Sequence, residues 1–437
     1  MLVSPATATA QVAPVSPGLT LASVLGAVRQ SHPLVLAAEA RVQAARGGRA
    51  TAGALPNPVL TYQVENAAFP GRTAPAGLVQ ETSTTATLPL EQVWQRSARV
   101  SRANNDIQAA ESDLNATRHA VALNAARAFH RVALAQFSTS ATAEVLVGLD
   151  SLVRYTRTRV TEGATAEGDL LRLEVERDRV ATEQALHQAE LAQARAVLQP
   201  YLVDSNLAGP SLSLDALYVA GDSASGAGGE RAGVGSLGMS ALPARQGLTE
   251  RALSARPDVL ASRARARAAG ADVGIQQALT VRQLGATFGS KSTGGSPSMI
   301  AGVSVPIPLF NQNRGEVQRA QGDRTAAEQE LRWTERRAAA EVTGGYEAAR
   351  VLTERVIALQ SGFLARAAES RNVALAAYRE GAVPLLSVLD ATRTLVDARL
   401  TYLRARYAQQ DAILALYVAV GLDPFDALNA PSKAPAP

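Results

Sequence analysis

The chain of 437 residues carries two copies of one unit. The run His32-Pro33-Leu34-Val35-Leu36-Ala37 recurs as Arg256-Pro257-Asp258-Val259-Leu260-Ala261, from residue 33 to 257 and so at an offset of 224. Leu88-Pro89-Leu90 returns as Ile307-Pro308-Leu309 at an offset of 219, and Glu162-Gly163-Ala164 returns as Glu380-Gly381-Ala382 at 218. Each copy reads as a helix, two short alternating strands, one very long helix, a glycine break and a further helix.

The apolar share is 47% with only 4% aromatic, and alanine is its largest single part. Alanine is the best helix former and lets helix backbones approach closely, so long packed helices are its natural use. Acids and bases are interspersed, 43 Lys and Arg against 39 Asp and Glu, with no basic tract of the kind that grips nucleic acid. Without cysteine there is no disulfide, thiolate metal site or cysteine nucleophile. The longest wholly apolar runs, such as 412–420, fall short of the ~20 residues of a spanning helix, so strands are expected to make any membrane crossing. Residues 1–18 read as a signal remnant, with Ala6-Thr7-Ala8-Thr9-Ala10 resembling a cleavage site, or as a disordered Ala/Pro/Thr tail.

The first repeat covers 19–205. A helix from Leu19 to about Arg49, with Thr20 as its cap, stops at Leu55-Pro56-Asn57-Pro58. Leu60, Tyr62 and Val64 then alternate with Thr61, Gln63 and Glu65, and a Gly/Pro loop leads to a second strand ending at Leu90. From Gln92 to Thr161 there is no proline and the one glycine is Gly148. A helix of that length runs roughly 105 Å. After Gly163 a helix from Leu170 to Leu198 ends at Pro200. A Gly/Ser/Ala-rich linker over 206–245 leads to the second repeat, 246–422, with a helix over 248–281, strands over 284–290 and 299–307, a long helix over 314–379, the Gly381 break and a last helix. Residues 423–437 read as a flexible tail.

The fold expected is mainly α with a small β part. Four strands with one apolar and one polar face have the pattern of a barrel wall between lipid and water, but four cannot close, and an open sheet edge is not tolerated in lipid. Three chains would supply twelve strands and six helical units, enough for a trimeric barrel continued by an α-helical tunnel.

Leu55-Pro56-Asn57-Pro58 with Glu65-Asn66, the strand ends around Pro89, Pro306 and Pro308, and the duplicated Glu-Gly-Ala elbows resemble the TolC-type outer-membrane efflux factors, over Leu19 to Leu422. The Leu-Pro-Asn-Pro and Glu-Asn elements are most similar to the heavy-metal cation efflux, CzcC-like, branch. The resemblance implies a homotrimer in outer-membrane lipid with a large periplasmic part. It also implies a periplasmic adaptor, an inner-membrane pump of the resistance-nodulation-division type, no cofactor and no enzymatic activity. It places Pro56, Pro58, Pro89, Pro306 and Pro308 at the strand boundary, and Gly163 and Gly381 at a periplasmic tip that closes like an iris. Asp390, nine residues past Gly381, matches an acidic constriction whose second acid is Ser387 here. Asp169 matches a gate-latching acid and Tyr378 its aromatic partner, while the arginine expected two past Gly381 is Val383. The other function class to weigh is a soluble periplasmic coiled-coil adaptor without a pore; drugs or secreted polypeptides are the alternative cargo.

Other signals point nowhere further. Gly233-Val234-Gly235-Ser236-Leu237-Gly238 spells a dinucleotide fingerprint but sits in the linker, with no strand before it or helix after it. His119 and His130 are roughly 16 Å apart along a helix, too far to share a metal ion, and read as packing or solvated residues. His32 and His187 are isolated, and the three methionines form no soft-metal relay. The run Glu174-Val175-Glu176-Arg177-Asp178 is expected to solvate a helix face or pair with neighbours. No catalytic, cofactor or metal site is expected.

Overall fold

The computed structural model describes residues 20–70, 72, 77–202, 245–280, 284–305 and 307–425. The leader, the linker over 206–244 with its glycine fingerprint, Pro306 and the tail beyond 425 lie outside them. The helices are Leu21–Ser31 (α1), Pro33–Gly53 (α2), Glu91–Thr161 (α3), Glu167–Leu198 (α4), Arg245–Ala255 (α5), Pro257–Ala278 (α6), Arg314–Ala358 (α7), Ala365–Arg379 (α8) and Leu385–Ala419 (α9). The strands are Val59–Glu65 (β1), Glu81–Pro89 (β2), Gly285–Thr293 (β3) and Ser296–Ser304 (β4). The order helix, strand pair, long helix, helix occurs twice.

Four expectations are amended, each for a local reason. The first helix of each repeat is two helices, broken before Pro33 and before Pro257. Proline has no N–H and its ring pushes the preceding residue out of the α region, so His32 (ψ 130°) and Arg256 (ψ 124°) are extended. The second strand pair is shifted, β3 ending later and β4 starting earlier than expected, because Gly294 and Gly295 (φ 57° and 90°) make a two-residue type I′ hairpin turn. The long helix of the second repeat is interrupted by a π-helical segment, Leu359–Leu364, with α8 continuing beyond it. Finally, one 18-residue window of α3 within Gln95–Thr161 is apolar enough on average to cross a bilayer. Alanine lifts that average between isolated polar residues, which a search for unbroken apolar runs does not register.

The chain divides into two compact units, each drawing on both repeats. One takes Met1–His32, Arg118–Leu248 and Val342–Pro437. In its core Val24, Leu25 and Val28 of α1 meet Ala125, Phe129 and Val132 of α3, Leu198 of α4 and Leu414 of α9. Thr20 opens α1 with a capping box: its Oγ1 accepts from the Ser23 N–H at 3.2 Å, and its own N–H donates to Ser23 Oγ at 3.1 Å. His32 is not isolated; it stacks on Tyr201 with ring centroids 5.7 Å apart. Nor is His187, which is buried on α4 beside Glu190 at 3.2 Å and Glu183 at 4.0 Å.

His130 of α3 is buried in the same unit, its ring 5.8 Å from that of Tyr407, and its Nδ1 has no hydrogen-bond partner among the described residues. Burial pushes its pKa down to about 4, although the Asp411 carboxylate works the other way. The unfolded chain titrates this group near 6.5, so the folded state is favoured above that pH, and the advantage is lost as pH falls from about 6.5 through about 4. The expected loss is on the order of 3 kcal/mol, from 1.36 kcal/mol per pKa unit. His130→Phe should flatten this part of the pH–stability curve, as followed by thermal melts of the helical signal; an unchanged slope between pH 7 and pH 4 would refute it.

The other unit takes Pro33–Thr117 and Thr249–Glu341. Its helical core is made mostly of alanine, with Ala103, Ala261, Ala264 and Ala338 all buried beside Val35 and Val259. Ion pairs stitch the helix surfaces: Arg46 to Glu111 at 3.0 Å, Arg263 to Glu335 at 3.2 Å, and Arg102 to Asp272. Such pairs contribute little singly where exposed, so close alanine packing stabilises this unit more than they do.

Candidate functional site

The four strands form one antiparallel sheet in the order β1-β2-β3-β4. The first hairpin joins the second through β2 and β3, with Glu81 opposite Thr293 and Pro89 opposite Gly285. The register sorts the side chains cleanly, because residues paired across strands share a face. Leu60, Ala86, Phe288 and Ala301 are paired in one row, Tyr62, Thr84, Ser290 and Met299 in another, and Leu88, Ala286 and Val303 in a third. The opposite face carries Thr61, Ser83, Thr85, Thr87 and Thr287, with Glu65, Glu81 and Lys291 its ionised groups. Nothing in the described chain covers the apolar face: Tyr62 is 68% exposed, Phe288 64% and Met299 87%. Nor do β1 and β4 have an outer neighbour among the described residues. An apolar, uncovered, two-edged sheet cannot be left so in water or in lipid.

Prolines mark the helix-side end of this sheet. Pro56 and Pro58 lie between α2 and β1, Pro89 ends β2 immediately before α3, and Pro308 lies between β4 and α7. Beside Pro308, Ile307, Leu309 and Phe310 are strongly exposed. Asn66 turns the chain at the other end of β1 in a left-handed conformation (φ 57°), its Nδ2 donating to the Val79 carbonyl at 3.1 Å.

The second set of features lies at the elbows. Gly163 (φ 72°) and Gly381 (φ 77°) end α3 and α8 with the same hydrogen bonds. The Ala164 N–H reaches Arg159 O at 2.8 Å and that of Gly163 reaches Val160 O at 3.0 Å; the Ala382 N–H reaches Ala377 O at 2.8 Å and that of Gly381 reaches Tyr378 O at 3.0 Å. These are Schellman closures, which need a residue free to take positive φ. From each elbow the chain returns antiparallel: Arg157 pairs with Glu174 at 2.6 Å and Arg177 with Asp150 at 2.9 Å. In the second hairpin Ala367 packs on Leu395 and Ala398.

Asp169 stands in the first turn of α4, where the helix dipole favours a carboxylate, and lies 3.6 Å from Arg172. Tyr378 lines a cavity of about 420 Å³ with Tyr155, Arg371, Leu375, Leu389 and Thr392. Ser387 is half-buried, its N–H donating to the Pro384 carbonyl at 3.0 Å, and Asp390 is exposed on α9. Among the described residues no hydrogen bond or ion pair joins Asp169, Tyr378, Ser387 and Asp390 to one another.

A different group ties the two hairpins together. Glu176 of α4 is buried, 5% exposed, and its carboxylate accepts from Arg393 Nε of α9 at 2.7 Å, from Arg393 Nη2, and from Arg179 Nη2 at 2.9 Å. Burial alone would push the Glu176 carboxyl up, but the hydrogen bonds from Arg393 and Arg179 outweigh it and hold the pKa at about 2. Of the two expectations for this charge run, solvation or pairing, Glu176 takes pairing, with Arg179 three residues on and with Arg393 of α9. The signal was there: Leu173, Glu176 and Val180 fall at helical spacing on the buried stripe of α4. Apolar packing flanks the pair, with Leu173 and Val180 against Leu389.

The chain matches the outer membrane efflux protein family over residues 24–202 and 248–422. It is 27% identical over 397 residues, 88% of this chain and 86% of the relative, to the cobalt-zinc-cadmium resistance protein CzcC of Cupriavidus metallidurans. To the cation efflux system protein CusC of Escherichia coli it is 30% identical over 195 residues, 41% of each chain. A crystal structure of CusC, described in connection with transmembrane channel formation, shares the fold at a TM-score of 0.74 and 21% identity, with 92% of each chain covered. The two matched blocks fall on the two repeats and take in both strand pairs and both glycine elbows, and the chain therefore belongs to the outer membrane efflux protein family.

Proposed function

We propose that three copies of this chain close their sheets into a twelve-stranded barrel in the outer membrane and their helices into a periplasmic tunnel. The conduit would passively release cargo delivered by an inner-membrane pump, of the resistance-nodulation-division type, and its periplasmic adaptor. The observation that carries this reading is the sheet: one apolar face uncovered, one polar face, and two edges that further copies of the same sheet would satisfy. Membership of an outer-membrane efflux family sets aside the pore-less adaptor. Heavy-metal cations are the proposed cargo, supported by the likeness to CzcC along most of the chain. No catalysis is proposed, and no cofactor.

In this reading Gly163 and Gly381 form the periplasmic tip, with Asp169, Tyr378 and Ser387 beside them and Asp390 facing the bore. Three Asp390 carboxylates around a constriction would concentrate negative potential and favour cations. Protein extracted in detergent and reconstituted in planar bilayers should give pores blocked by a trivalent cation from the tip side. Asp390→Ala should weaken that block by about tenfold, the effect of roughly 1.4 kcal/mol. Protein that forms no pores counts against the conduit, and an unchanged block removes Asp390 from the constriction.

A further inference from the structure

Of the 43 basic residues in this chain only Lys291 and Lys433 are lysines, and Lys291 is the one among the described residues. Everywhere else in the described fold a fixed positive charge is an arginine. Lys291 lies on β3, on the polar face of the sheet, toward the end away from the helices. Its Nζ meets the Glu81 carboxylate, which also accepts from Thr293 Oγ1 at 3.2 Å. Glu81 stands directly opposite Glu65 in the β1–β2 register, and Glu65 also acts electrostatically on Lys291.

Two carboxylates directly opposite on one face repel, and β pairing there is weakened unless a cation lies between them. Lys291, one row further in on the same face, supplies a cation to Glu81 by direct contact and to Glu65 at longer range. These three are the ionisable residues of the four strands, apart from the Tyr62 phenol on the other face, and all share one face; the rest of that face is chiefly serine, threonine and glycine. Within the strands the fixed charge of this end is therefore one negative unit per chain with Lys291 and two without it, and Arg72, exposed in the connection from β1 to β2, adds one positive unit in either case.

We propose that Lys291 sets the charge selectivity of the duct's outer mouth, acting as a tethered counter-cation that keeps Glu65 and Glu81 from making the exit strongly cation-selective. This rests on the reading of the polar face as lumen wall. A charge of this kind acts across a wide pore only when screening is weak: the Debye length is about 30 Å at 0.01 M salt and about 3 Å at 1 M.

The test is the cation-to-anion permeability ratio of reconstituted channels in potassium chloride gradients at low and at high salt. Lys291→Gln should raise the ratio about twofold near 0.01 M and leave it unchanged near 1 M. Lys291→Arg should match the wild type. Acetylation of the folded wild-type channel with a membrane-impermeant amine reagent, in a Lys433→Arg background, should reproduce the Lys291→Gln result without a folding step. The same reagent should leave the selectivity of a channel carrying both Lys291→Arg and Lys433→Arg, whose α-amino group it also modifies, unchanged. Wild-type protein that conducts no ions overturns the lumen reading and this inference with it. A conducting pore whose low-salt selectivity is the same before and after both Lys291→Gln and acetylation overturns the inference alone.

Discussion

Valine in place of Gly289 is expected to abolish formation of the four-stranded sheet. A Cβ at this position would collide with the Thr84 carbonyl oxygen and lie 2.7 Å from Thr85 Cα, both backbone atoms of the neighbouring strand. A flexible side chain can swing away from such a clash, but a paired strand cannot without breaking its ladder. Gly289 sits opposite Thr85 in the middle of the β2–β3 seam, the pairing that joins the strand pairs of the two repeats. Once that seam opens, two isolated hairpins remain, and two-stranded hairpins are marginal on their own. The cost should exceed the ~1–3 kcal/mol of ordinary overpacking, because backbone and not side chain must move. Gly302→Ala is the matched control: it faces the same side of the sheet, and a Cβ there meets nothing within 4 Å. The check is recovery of a folded oligomer from detergent extracts, with strand content by circular dichroism. Normal assembly of Gly289→Val would mean that β2 and β3 do not pair in this register.

Periodicity and punctuation make most of this fold readable, and each failure has a physical cause. Alternation places β1 and β2 closely, since an alternating run has one solution for which side faces which medium. It misplaces the second pair because the decisive signal there is Gly294-Gly295, two adjacent residues whose positive φ fixes the hairpin and so the register of both strands. The breaks before Pro33 and Pro257 lie at the same prolines that reveal the repeat, but a break that leaves the helical pattern running on both sides is hard to distinguish from a kink. The elbows are legible because glycine at a helix C-terminus has a specific conformational reason to be there. Glu176 is legible by half: its place on one stripe with Leu173 and Val180 marks it as buried, but its partner Arg393 lies 217 residues later in the chain. Long-range pairing of single charged residues leaves no periodic trace, and this is where reading residue types along one chain stops.

That partnership carries the second large expectation. Arg393→Ala should destabilise the elbow hairpins by about 3 kcal/mol, the lower end of the cost of stranding a buried charge, because Arg179 still reaches the Glu176 carboxylate. Glu176→Gln keeps the shape and some hydrogen bonding, and so should cost less than Arg393→Ala, roughly 1–2 kcal/mol. A double-mutant cycle on the two positions should show a coupling energy above about 1 kcal/mol, as contacting partners in one network do. The pH dependence has a definite sign. The Glu176 pKa is lowered from 4.5 to about 2, so the pair's contribution is complete above about 4.5 and is lost as pH falls from there through about 2. Removing Arg393 should move that window toward higher pH, visible in melts between pH 3 and 5. The consequence for the elbows follows from position. Glu176 is 13 residues beyond Gly163 and Arg393 12 beyond Gly381, so the tie lies at nearly equal height on α4 and α9, roughly 18–20 Å from each elbow at 1.5 Å per residue. It fixes the two returning helices to each other there, and Leu389 packs against Leu173 on its elbow side. Arg393→Ala should therefore raise proteolytic cleavage at both elbows together. Cleavage raised at only one elbow, or a cycle with no coupling, would show that the two hairpins are held together elsewhere.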